Sequence, residues 1–176
     1  MESVTKLRSR IAIFTVFAAG MIALAAPQSA AAETVKIRRS IPYAANAAVP
    51  PAVRDQCALE TKVPEFIQEA AGGSVELVDG APNRLRGRVL ELEITEVHAP
   101  GGGAFSGPKW MTVKGDLYDR GKAIGSFRAK RLSTGGAFGG FKGTCAIIGR
   151  CSKAIGQDIA GWLGSPSANA LLGDAR

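Results

Sequence analysis

The sequence predicts a two-layer α+β domain, with an antiparallel sheet of about five strands and two helices packed on one face. Three observations predict it. Residues 52–71 and 144–163 repeat apolar side chains at three- and four-residue spacing. Residues 84–98, 109–119 and 122–132 alternate apolar and polar side chains. The connections between those alternating runs are short and rich in glycine.

The domain is expected to begin at residue 33. Lys6, Arg8 and Arg10 precede an uncharged apolar run at 11–26, and Ala30-Ala31-Ala32 offers small residues for cleavage. This is the three-part pattern of a secretory signal, so 1–32 is expected to be removed and the product to be periplasmic or secreted. The apolar run is shorter than the roughly 20 residues a membrane span needs. No cysteine directly follows it, which argues against a lipid anchor. Removal takes the net charge from +7 to +5 and leaves 144 residues, enough for one core. No later run is long and apolar enough to span a bilayer.

In chain order, 34–41 reads as a short strand ended by Pro42, and 43–51 as an alanine-rich connector. The first helix carries Leu59, Val63, Phe66, Ile67 and Ala70 on one face and stops at Gly72-Gly73. Pro64 inside it either kinks it or splits it into two pieces. A strand at 74–79 and a turn at 80–83 follow. The run 84–98 is the clearest strand, with Leu90, Leu92 and Ile94 opposed to Glu91, Glu93 and Thr95. A three-residue hairpin loop with Gly121 in the left-handed position pairs Tyr118 with Lys122. It sets Val113 opposite Phe127 and Met111 opposite Ala129. The last helix lines up Ile148, Cys151, Ile155, Ile159 and Trp162 behind an N-cap at Thr144. Residues 165–176 read as a flexible tail.

Function is harder to read, and the glycine loops say most about it. Lys142 is preceded by Phe141 and followed by Gly143, so the phosphate-loop pattern fails, and the dinucleotide pattern fails as well. The same loop is half of a repeat. GGAFSGPK at 102–109 and GGAFGGFK at 135–142 agree at six of eight places, and a hairpin between them brings both to one end of the sheet. Their phenylalanines either fold back over the sheet end or form an interaction edge. Phe105, Lys109, Phe138 and Lys142 are the candidate interaction residues.

No catalytic site is legible. The one histidine, His98, and three cysteines without C-x-x-C spacing leave no metal or redox motif, and no cofactor is expected. Glu91 and Glu93 read as part of a solvated charge ladder with Lys114, Arg128 and Lys130. The competing reading is an enzyme acting on acidic glycans or peptides through Glu91, Glu93 or His98. A pocket around those groups favours the enzyme, and a flat charged face favours a binding module. The arginines near 84–88 and 128–131 lack interleaved aromatics, so nucleic acid is not an expected partner. An envelope protein or an anionic surface is. Self-association through the strand at 35–41 is a third possibility.

Three cysteines allow one intramolecular bridge. Cys145 and Cys151 lie six residues apart, about 9 Å along a helix, beyond the roughly 7 Å that a disulfide tolerates. Cys57 is therefore expected to bond one of them, Cys145 ahead of Cys151.

With its signal, single helix, glycine-interrupted meander and closing run GQDIAGWL at 156–163, the chain resembles small proteobacterial envelope proteins of a domain of unknown function. The resemblance covers roughly 75–163. It implies a periplasmic location and an α+β fold, and it transfers no functional residues.

Overall fold

The computed structural model describes residues 33–136 and 139–175; the expected signal segment lies outside them. The element order is β1 (Val35–Arg38), β2 (Tyr43–Ala48), α1 (Pro51–Cys57), α2 (Leu59–Ala71), β3 (Val75–Val78), β4 (Arg88–His98), β5 (Lys109–Asp119), β6 (Lys122–Ser133), α3 (Thr144–Leu163) and β7 (Ala170–Gly173). Among the described residues the strands form one seven-stranded sheet in the order β3-β1-β4-β5-β6-β7, with β2 pairing β4 beyond the end of β1. One apolar cluster joins the sheet to the helices. Leu90, Ile94, Met111, Val113 and Ala129 meet Val63, Ile67, Ile148, Ile155 and Ile159 within it.

The sheet is mixed, not antiparallel. β4, β5 and β6 form the expected meander, but β1 runs parallel to both β3 and β4, and β7 runs parallel to β6. The reason lies in the connections. A strand, helix and strand in succession make a crossover, and a crossover returns the chain parallel to its start. The chain contains two such units, β1 to β3 through β2, α1 and α2, and β6 to β7 through α3. The first places β1 between β3 and β4, so it is no free edge for self-association.

The expected flexible tail carries a strand, β7. Backbone bonds from Ser126 to Ser167 and from Asp174 to Lys130 hold β7 in place, and the Asp174 carboxylate accepts from the Leu132 N–H. Arg131 makes a two-pronged ion pair with Asp158 at 2.6 Å and reaches Asp174 at 3.6 Å.

The first helix is split, at Ala58 and not at Pro64. Ala58 adopts a left-handed conformation (φ 49°, ψ 45°), and its carbonyl accepts from Thr61. Pro64 sits inside α2, where its missing N–H frees the carbonyl of Glu60. The Ile41 N–H donates to that carbonyl at 3.0 Å, so the proline ties β1's exit to the helix.

The hairpin register differs by two residues from the expected one. Arg120 and Gly121, with φ of 45° and 86°, form a two-residue turn that pairs Asp119 with Lys122. A bulge near Leu117 then sets Gly115 opposite Phe127 and Val113 opposite Ala129. A shift of two keeps every side chain on its face. The Phe127 ring needs this register, because a Cβ on Gly115 would lie 2.5 Å from its tip.

Candidate functional site

The meander brings the segments after β4 and after β6 to one end of the sheet, each ending in a 3-10 turn, Gly103–Ser106 and Gly139–Phe141. The two turns touch. A Cβ on Gly103 would stand 2.5 Å from the Lys142 carbonyl oxygen, and the Phe105 ring lies 3.4 Å from where Gly140 would carry one. Only a residue without a side chain allows the first approach.

The loops are braced from inside by cations. Lys109 is fully buried, and its Nζ donates to the Pro100 carbonyl at 2.9 Å and to Ser106 Oγ at 3.0 Å. It is therefore an internal brace and not an outward contact. The cause is strand alternation: Lys109 shares the inward parity of Met111 and Val113, so its stem runs under the loop and its amine finds carbonyls there. Desolvation pushes its pKa below the ordinary lysine value. Thr144 Oγ1 donates to the same Pro100 carbonyl at 3.3 Å. In the second loop Lys142 Nζ and Arg150 both donate to the Gly135 carbonyl, at 3.1 and 2.7 Å.

Against this braced backbone two aromatic rings stand in solvent. Phe105 is 88% exposed and Phe141 92%. Phe138 lies outside the described residues. Phe141 escaped the sequence reading because the repeat aligns it with Pro108. The available signal was that the apolar stripe of α3 starts only at Ile148, which gives Phe141 no core to join.

Cys57 and Cys145 are bonded, with α-carbons 5.0 Å apart, and Cys151 is buried and free. The bridge ties the end of α1 to the first turn of α3, where the second loop ends. Burial pushes the Cys151 thiol up to about 11, as expected for an inert core residue.

Just behind the loops, on the sheet face away from the helices, Trp110 organises a polar cluster. Its Nε1 donates to Glu96 at 3.1 Å and Thr112 Oγ1 donates to the same carboxylate at 3.2 Å. His98 stacks on the indole at 3.7 Å, and Lys130 Nζ lies 5.4 Å from the ring centre. The hydrogen bond from Trp110, then that from Thr112 and the charges of Lys130 and Arg128, hold the Glu96 carboxyl below its ordinary value of 4.5, against partial desolvation. A carboxyl with a lowered folded pKa stabilises above its unfolded pKa and loses that contribution as pH falls through the folded one. Glu96→Gln is thus expected to lose less stability than the wild type between neutral pH and about pH 3. Urea midpoints at the two pH values check this, and equal losses would contradict it.

Farther along the same face lies an open groove of about 660 Å³, lined by Glu91, Glu93, Lys114, Asp116, Ser126 and Arg128. Glu93, Lys114 and Arg128 form one cross-strand row, a ladder of alternating charge. Glu91 is clamped by both arms of Arg84, which also lies over the Tyr118 ring. His98 is elsewhere: its partner Trp110 is four residues along β5 from Lys114, the partner of Glu93, or about 13 Å. The structure therefore does not bring His98 together with the two glutamates. Among the described residues no cluster of histidine, cysteine or carboxylates has a metal-binding arrangement, and no helix is long and apolar enough to cross a membrane.

No family model matches the chain, and no curated protein matches it either. Solved structures with similarity include the PelC dodecamer from Paraburkholderia phytofirmans, at 16% identity and a TM-score of 0.43, covering 71% of this chain and 86% of that one. A DUF330 protein from Xanthomonas campestris is similar at 13% identity and a TM-score of 0.45, covering 74% and 83%. A minor lipoprotein from Acinetobacter baumannii is similar at 15% identity and a TM-score of 0.34, covering 74% and 92%.

Proposed function

We propose that this is a non-catalytic binding or accessory protein of the cell envelope, which meets its partner through the two paired glycine loops. One observation carries the reading: Phe105 and Phe141 are both exposed, on adjoining loops whose backbone is otherwise held by Lys109, Lys142 and Arg150. Exposed aromatic rings on a fixed frame lose little entropy on contact. The signal pattern and the disulfide fit an oxidising compartment.

Phe105→Ala and Phe141→Ala are each expected to change stability by less than about 0.5 kcal/mol, because neither ring is covered. Both are expected to weaken association with the same envelope fraction. Thermal melts and fractionation of the exported protein test this. A large loss of stability, or undiminished association in the double variant, would overturn it.

The concavity of the groove supports a second reading, an envelope enzyme acting on acidic glycans or peptides. In it Lys114 and Arg128 meet the substrate's charge and Glu93 is the acid–base group. Turnover of such substrates by the purified protein, abolished in a folded Glu93→Gln variant, would favour that reading; no turnover removes it.

A further inference from the structure

We infer that the partner at the loop end is an anionic lipid surface, into which Phe105 and Phe141 insert. The inference rests on the docking reading above and adds the chemistry of the occupant. Its first support is charge. The two loop-bearing segments, 97–110 and 132–152, contain Lys109, Lys142 and Arg150 and no aspartate or glutamate, and of the three cations Lys109 is buried. The nearest carboxylate in sequence before the first loop, Glu96, is engaged by Trp110 and Thr112. The second support is placement. The two exposed phenylalanines lie on the paired loops, and at the same loop end Lys142 and Arg150 converge on the Gly135 carbonyl. Apolar rings beside cations match a bilayer's hydrocarbon edge and its anionic headgroups. A protein-binding hot spot differs, since its aromatic anchors sit centrally within a well-packed patch. The third is the frame. The loop backbones are tied to each other and, through Cys57–Cys145, to the helices, so the tips enter as one unit.

Flotation of the processed protein, purified from the periplasm, with vesicles of known composition tests the inference. Binding to phosphatidylethanolamine–phosphatidylglycerol vesicles is expected, with much less to phosphatidylcholine alone and a marked fall at high salt. The Phe105→Ala/Phe141→Ala double variant is expected to bind at least about tenfold more weakly. Leu85→Ala, which removes a side chain 73% exposed outside the loops, is expected to bind as the wild type does. Phe141→Trp keeps the ring and is expected to retain binding, with a blue shift in its fluorescence. Equal binding to charged and neutral vesicles, or unchanged binding in the double variant, would overturn the lipid assignment. Absence of vesicle binding, while the double variant still loses its envelope association, would also overturn it but leave the docking reading standing, with a protein as the occupant.

Discussion

Replacing Cys57 and Cys145 together by serine is expected to lower stability by about 2–5 kcal/mol, and the melting temperature by roughly 5–15 °C. The bond joins residues 88 apart in sequence, so its loss frees a long loop in the unfolded chain. It also joins the end of α1 to the start of α3, on which the second glycine loop depends. The double substitution is the informative one, because a single serine leaves a thiol that could pair with Cys151. Thermal melts of the purified variant check the effect. A shift of less than about 2 °C would show that packing alone sets the helix positions.

The second large effect is expected at Gly156. This residue lies on the buried face of α3, where a Cβ would stand 2.7 Å from the Cβ of Phe66 and 2.8 Å from its backbone carbon. Backbone cannot swing aside, so a side chain here must push α2 and α3 apart along their contact. Gly156→Val is expected to cost about 3 kcal/mol or more, overriding any gain in helix propensity. Gly149 on the same helix meets nothing within 4 Å, so Gly149→Ala is expected to stabilise by about 0.5–1 kcal/mol. Opposite signs for two glycine replacements on one helix are hard to obtain without the close crossing. Urea unfolding of both variants decides it, and a Gly156→Val protein as stable as the wild type would refute the packing.

How much of this was legible follows from what each element needs. β4, β5, β6 and α3 declare themselves because one face is buried and the other wet, which writes a period into the sequence. β2 and β7 are missed for the same reason: YAANAA and ALLG carry no alternation, and their pairing is imposed by neighbours. The break at Ala58 needs a left-handed alanine, which no local residue announces. The parallel pairings were available in the strand–helix–strand order and were masked by the more conspicuous meander.

At the loop end the balance is similar. The repeat brought both loops to one place, and the structure sets them in contact. Lys109, by contrast, stands among the candidate interaction residues although its parity with Met111 and Val113 points it inward. A charged residue on the apolar side of a strand signals a buried partner, and here the partners are a carbonyl and a hydroxyl of the loop itself.

The docking account is tested most directly by a photoreactive phenylalanine placed in the exported protein at one of four exposed apolar positions: Phe105, Phe141, Leu85 or Ile124. Irradiation in intact cells, followed by mass analysis of the adducts, reports what lies against each side chain. The account predicts adducts from 105 and 141 to one common species and none from 85 or 124. Adducts confined to 85 or 124, or spread evenly over all four positions, would contradict it.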